Sequence, residues 1–390
     1  MPLTEPAFRL SARTTRLFYG LALLGGITLL CGLFLDAKRT CIDLFVISNY
    51  LVGLGLAAMV LVALHHVTGA RWSLPVLPAS NALISVLPIG ALGILVVLFC
   101  YPSMYSWATA HGASVLDSPL KRIWLIWPAF LVRTVIYIIV WMLFAATIRR
   151  GNRLTDGNPD AYSKTKNVRL AAFFLVVFGV TCWLSSIDWL MSLEPEWAST
   201  IFPVYNFAGL ILSGIAAVIL IVIWLKKFSH MQKDITDQHL HDLGTLLFSF
   251  SSLWMYMWFC QYLLIWYVNN PEETGYYVRR RHGIGPEILY LDLALNWAIP
   301  FLVLLFRSAK RSSLILGTIA AIVLAGRCVD LAFMIFPSQT DVIPLPTALE
   351  AGLLLGAIAL VVLTVFWALG TGESKYRRSL PRQHGLQPSA

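Results

Sequence analysis

Four ionisable residues, Arg133, Asp188, Arg327 and Asp330, fall inside long hydrophobic runs. A charge in hydrocarbon costs at least about 2.5–3.5 kcal/mol on insertion scales, so each needs a partner or a task. The chemistry open to such groups is proton transfer, because a carboxyl takes up and releases a proton and a nearby cation tunes how readily it does so. The stretch from Ile123 to Trp141 offers Arg133 no acid. Asp188, in the next run, is placed to meet it from a neighbouring helix. That pairing reads either as a fixed ion pair that orients two helices or as a step on a proton path. Arg327 and Asp330 are three residues apart, share a helical face and can neutralise each other, with the same two readings open. On a continuous helix Arg133 would lie 11 residues past Arg122, about 16 Å from the surface and near mid-membrane at 1.5 Å per residue.

Asp188 and Asp330 each stand seven residues before a proline, Pro195 and Pro337, at the mouth of a hydrophobic run. This suggests two parallel four-helix repeats, helices 2–5 and 6–9. Glu194 and Glu196, among Trp189, Trp197, Phe202 and Tyr205, bring two acids without an evident base to one membrane interface. The aromatics read as belt anchors, and the acids as an aqueous proton exit or a docking face for a basic partner. His65 and His66 close the second run and read as interfacial residues or as members of a proton relay. A single His-His dipeptide cannot hold haem between two helices. Six cysteines are scattered with no C-x-x-C pair, which argues against covalent haem and thiolate metal sites, so no cofactor is expected on this chain alone. Asp292 and Glu350, near the ends of their runs, are expected to snorkel to water, and Gln261 to bond across a helix interface.

The elements that must position these residues are membrane helices. The chain of 390 residues is 58% hydrophobic and only 13% charged, against about 25% charged in soluble domains. Its mean hydropathy is +0.73. A span needs about 20 apolar residues, and ten such windows fit, near 15–35, 44–66, 78–101, 123–147, 168–192, 201–226, 244–267, 288–306, 312–336 and 347–369. The fold class expected is thus all-α integral membrane, a domain over 15–369 flanked by a cytoplasmic segment 1–14 and a disordered cytoplasmic tail 370–390. With the N-terminus inside, twenty of the 29 basic residues fall in inner segments, seven in outer ones and two within spans. That bias predicts an N-in, C-in topology and accounts for the net charge of +9 without nucleic acid.

Several blocks resemble a known family. They are HHVTGARWS (65–73), Lys121 with VRTVIYIIVW (132–141), SIDWLMSLEPEWASTIFPVYNFAG (186–209), HDLGTLLFSF (241–250), QYLLIWYVNNPEET (261–274), NWAIPFLVLLFRSAKR from 296, and GRCVDLAFMIFPS ending at 338. In order and over about residues 50–370, they resemble the NrfD/PsrC-like membrane subunits of bacterial alternative complex III, a quinol:cytochrome c oxidoreductase, and most of all its second such subunit (ActF type). The resemblance implies ten helices in two four-helix bundles plus a flanking pair, in the bacterial inner membrane. It implies as partners a multihaem cytochrome c, an iron–sulfur protein and a sister NrfD-like subunit, which carry the haem and iron–sulfur centres. Quinone or quinol would bind chiefly in the sister subunit. Asp188, Arg133, Asp330, Arg327 and Glu194 match polar positions of the family's blocks and, with His65 and His66, are candidates for a proton path. Two stretches depart from the family pattern. Residues 74–90 read LPVLPASNALISVLPIG in place of a basic Arg-Arg-x-x-Glu segment, and 122–128 read RIWLIWP in place of a Tyr-Leu-Asn-type segment. Both remove polar groups and bear on contact with the sister subunit or on the path itself.

The leading expectation is a membrane subunit that supports quinol oxidation without holding the redox centres. A secondary transporter and a purely structural anchor are the alternatives. The first would call for helices unwound at mid-membrane, and the second leaves Asp188 and Asp330 without a proton to carry.

Overall fold

A computed structural model describes residues 11–108, 119–155, 161–229, 234–340 and 347–379. The chain is an all-α integral membrane protein. Among the described residues, ten helices are long and apolar enough to span a bilayer: α1 Ala12–Leu35, α2 Ala37–Thr68, α3 Trp72–Cys100, α4 Trp127–Arg150, α5 Lys166–Leu193, α6 Phe202–Phe228, α7 Asp237–Val268, α8 Gly285–Leu304, α9 Ser313–Ser338 and α10 Ala348–Thr371. All ten expected windows are there with shifted ends: each is extended at one or both ends, and six are also cut back at the other, most of all the fourth, which begins at Trp127. The first and last expected segments lie partly outside the described residues. Where 370–379 is described, the helix begun at Ala348 continues to Ser379.

Helices α2–α5 pack as one bundle and α6–α9 as a second, with α1 and α10 paired alongside. The bundles meet where α2 lies against α6 and α9. Buried small residues permit that approach: Gly53 of α2 faces Leu210 of α6, and Gly214 of α6 packs on Ala57 of α2. Consequently α2 and α6 are the most buried spans and α1 the least. The outward surface is apolar, with Phe34, Tyr267 and Leu314 at least four-fifths exposed, as lipid-facing side chains are.

The start of α1 and the end of α10 share one face, here the terminal face; the opposite one is the distal face. α1 and α10 run antiparallel, with Gly25 against Gly356 and Thr28 against Gly352. Gly352 and Gly356 stand four apart, the small-x-x-x-small pattern that lets two backbones touch in lipid.

Three local features shape the site. A break at Leu125–Ile126 separates the short helix Pro119–Trp124 from α4. Arg133 therefore lies six residues inside α4, about 9 Å from its start. The other two are π turns, Ser186–Leu190 in α5 and Ala294–Ala298 in α8. Each bulges its helix by one residue and redirects the side chains there, as such bulges do at functional sites.

A β-carbon on Gly356 would lie 2.5 Å from the Gly25 Cα. Gly356→Leu should therefore lower thermal stability in mild detergent, by about 1–3 kcal/mol as overpacking does. An unchanged melting curve would mean that α1 and α10 do not touch at this point.

Candidate functional site

Asp188 lies within the π turn of α5 and is fully buried. Arg133 reaches it from α4 with Nε 2.9 Å from Oδ2 and Nη2 3.0 Å from Oδ1, the bidentate fork of a strong ion pair. Tyr137, one helical turn beyond Arg133, donates its hydroxyl to Oδ2 at 2.9 Å. Trp124 donates Nε1 to Oδ1 at 2.7 Å and lies under the Arg133 guanidinium at 4.2 Å. Four donors fill the lone pairs of this carboxylate. Sequence pattern alone had paired Arg133 with Asp188; Trp124 and Tyr137 were not foreseen, although Tyr137 follows Arg133 at the helical i+4 spacing.

In the second bundle Asp330 of α9, also fully buried, repeats that chemistry. It pairs with Arg327 one turn earlier, accepts the hydroxyl of Tyr205 from α6, and accepts Trp254 Nε1 of α7 at 3.3 Å. Each acid is thus held by one arginine, one tyrosine and one tryptophan. The donors come from different places in the two bundles, so the likeness is one of chemistry and not of helix-by-helix position. Gly209 makes room for Arg327: a β-carbon there would fall 2.9 Å from the guanidinium carbon.

A hydrogen-bonded bridge runs from the second site to the π turn that carries the first. Arg327 donates Nη2 to Asn206 Oδ1, and Asn206 Nδ2 donates at 2.9 Å to Ser186 Oγ in the π turn that carries Asp188. Beside this bridge lies a cavity of about 30 Å³ lined by Asn49, Tyr50, Ser185, Ser213 and Arg327, among others. One water needs about 10–15 Å³ of such space and two to four polar partners, so the cavity suits one or two waters. It is far too small for a quinone, whose pockets measure hundreds of cubic ångströms.

Aromatic caps close the distal end of both sites. Over the first, Tyr105 donates to the Trp189 carbonyl at 3.0 Å and Trp107 to that of Ser192 at 2.9 Å, within a cluster that includes Trp127 and Phe130. Over the second, Trp197 stacks on Tyr276 with centroids 4.0 Å apart. Trp189, Trp197, Phe202 and Tyr205 are therefore buried in the packed interior and are not the belt anchors that their position suggests. Burial holds the Tyr105, Tyr276 and Tyr277 phenols above the usual range, which keeps all three neutral.

Glu194 and Glu196 do have bases. Arg280 Nη1 lies 2.8 Å from Glu194, Arg279 lies 3.7 Å from it, and Arg279 Nη2 lies 3.1 Å from Glu196. Both arginines come from the stretch between α7 and α8, remote in sequence from the acids. Arg280 is almost fully buried, donates to the carbonyls of Tyr276, Phe333 and Met334, and stacks on the Tyr276 ring at 3.4 Å. It staples this stretch across the mouth of the second bundle.

His65 and His66 stand at the other end of α2, toward the terminal face. His65 Nδ1 lies 2.6 Å from Ser73 Oγ, and the two imidazoles meet edge to face at 5.4 Å. They are apart from both acid sites. Glu350 pairs with Arg39, and Gln261 has one long contact, Nε2 to the Tyr277 hydroxyl at 3.5 Å. Asp292 departs most from expectation. It does not snorkel to water but is fully buried in α8, where Asn296 Nδ2 donates to its Oδ1 at 2.7 Å. Sequence pattern held a signal for this in the i, i+4 spacing of Asp292 and Asn296.

Among the described residues no group of three or more histidines, cysteines or acids could hold a metal ion. Comparison of the sequence with protein-family models and with curated proteins finds no match to either.

Breaking a buried ion pair costs about 3–5 kcal/mol because one charge is left without a partner. Arg327→Leu should therefore destabilise the fold strongly in chemical or thermal melts, and Arg327→Leu combined with Asp330→Leu should recover much of the loss. A double variant no more stable than the single one would mean that the two charges do not depend on each other.

Proposed function

We propose that this chain is a membrane subunit, without redox centres of its own, of a quinol:cytochrome c (or other electron-acceptor) oxidoreductase complex. It spans the bacterial cytoplasmic membrane with both termini inside, supports quinol oxidation and translocates protons, with the Asp330 site of the second bundle as the carrier. The observation that carries the proton reading is the bridge from Asp330 through Arg327 and Asn206 to Ser186, flanked by a cavity of water size with both polar and apolar walls. The respiratory context is supported by the resemblance of blocks 65–73, 186–209, 261–274 and 296–338 to NrfD/PsrC-like subunits, and the two bundles with a flanking pair suit it. Its partners on this reading are a multihaem cytochrome c, an iron–sulfur subunit and a sister NrfD-like subunit, with the quinone site on the sister. The distal acids and arginines then face the outer side.

A purely structural role has one specific observation in its favour. Asp188 already accepts four hydrogen bonds, which leaves an incoming proton no free lone pair. The first bundle's pair is accordingly the more rigid of the two. A transporter reading has less support, since α5 and α8 bulge at their π turns but do not unwind.

Mild-detergent purification of the tagged chain from native membranes should bring a multihaem cytochrome and an iron–sulfur subunit with it, visible by subunit identification and haem spectroscopy. In the complex reconstituted into vesicles, Asp330→Asn should cut proton translocation by roughly 100-fold or more, the usual range for loss of a proton-transfer group. Purification of the chain alone and colourless would sink the respiratory assignment. Intact translocation in an assembled Asp330→Asn complex would leave only the anchoring role.

A further inference from the structure

Charge is not balanced in the second bundle. In the first, one carboxylate faces one guanidinium. In the second, Asp292 and Asp330 share Arg327, which spends Nη1 on Asp330 and Nη2 on Asn206. The charged and titratable groups around Asp292 are Arg327 and Asp330 on α9, Tyr205 on α6 and Tyr276 from the distal stretch. The α7 residues at this cluster, Ser251 and Trp254, are not ionisable there.

The same place is short of hydrogen-bond donors. Asp292 Oδ2 is buried and has no partner among the described residues. Asn296, one turn along α8 and fully buried, spends its Nδ2 on Asp292, and its Oδ1 also has no partner among the described residues. Its backbone carbonyl is taken by Ser251 Oγ at 2.6 Å. Gly326 of α9 leaves the space for the amide, since a β-carbon there would lie 2.8 Å from Asn296 Oδ1. The π turn Ala294–Ala298 includes Asn296 and begins two residues after Asp292. Two orphaned acceptor oxygens therefore sit together in a cluster with one negative charge too many. Buried groups of this kind are not left bare; they take up a donor or lose their charge.

We propose that Asp292 and Asn296 form a buried proton-binding site, with the proton carried on Asp292 Oδ2. Binding converts the carboxylate to a carboxylic acid, brings the two acids and one guanidinium to zero net charge, and supplies the donor that the site lacks. A metal cation is the poorer occupant, because no cluster of three or more candidate ligands exists among the described residues. As a station in proton translocation the site rests on the function proposed above; as a bound proton it does not, and its test needs no redox partner.

The test is infrared difference spectroscopy of the full chain in detergent at neutral pH, with isotope-labelled aspartate, in light and heavy water. The wild-type chain should give the carbonyl stretch of a protonated, labelled carboxylic acid that shifts in heavy water, and Asp292→Asn should remove it. Where Asp292→Asn does not fold, Asp292→Glu should move the signal out of the aspartate-labelled set. Absence of the band in the wild-type chain overturns the proposal. Survival of the band in either variant overturns it too, by placing the proton on another aspartate. Loss of the wild-type band on adding Na⁺ would make the site a sodium site and also overturn it. A band that behaves as expected in a chain that purifies without redox partners would keep the proton site while the respiratory reading fails.

Discussion

The cost of ionised side chains in a hydrocarbon solvent governs this structure more than any other interaction. A carboxylate there must have its charge matched and its lone pairs filled, and no single helix can supply both. Asp188 draws its donors from α4 and from the short helix before it. Asp330 draws on α6 and α7 as well as on its own helix. These convergences fix which helices are neighbours and how they are rotated, which lipid-facing apolar contacts specify only weakly because the tails outside are as apolar as the side chains within.

Holding polar groups at close quarters requires room, and small residues and helix bulges provide it. Gly209 lies under the Arg327 guanidinium, and Gly326 beside the Asn296 amide. Ser186 and Asn296 both belong to π turns, one in each bundle, and each takes part in the buried hydrogen-bond network. Bulged backbone in the bilayer is tolerated where it is buried in protein: four of the five residues of the α5 turn are buried, and the α8 turn buries Asn296. The pieces depend on one another: the bulge aims the side chain, the glycine admits it, and the paired charge keeps the segment from relaxing back to a regular helix.

The two sites are alike in chemistry but differ in what they can still do. Around Asp188 every acceptor is filled and charge is balanced, as in a fastening between α4 and α5. Around Asp330 a second acid and two unfilled acceptors remain, and a hydrogen-bonded bridge leads across the bundle boundary. Aromatic caps and the Arg280 staple close both sites on the distal side, so the polar interior is walled off there by ring packing and an ion pair.

Much of this architecture was legible in the residues. The ten apolar runs, the all-α class, and the pairings of Arg133 with Asp188 and of Arg327 with Asp330 follow from two facts of one-dimensional spacing: the thickness of a bilayer and the intolerance of a buried charge without a partner. What could not be read were contacts between residues far apart in the chain. Glu194 looked baseless because Arg280 lies 86 positions away in sequence; Tyr205 and Trp197 looked like interfacial anchors because burial by another helix leaves no mark on local pattern; Asp292 looked able to reach water because its depth depends on the segment folded over it. The sequence by itself determined how many helices cross the membrane and which residues needed partners, because both are set by local solvation. Only the tertiary structure decided which partners they found and which acid was left short of one, because that depends on how the helices turn toward each other.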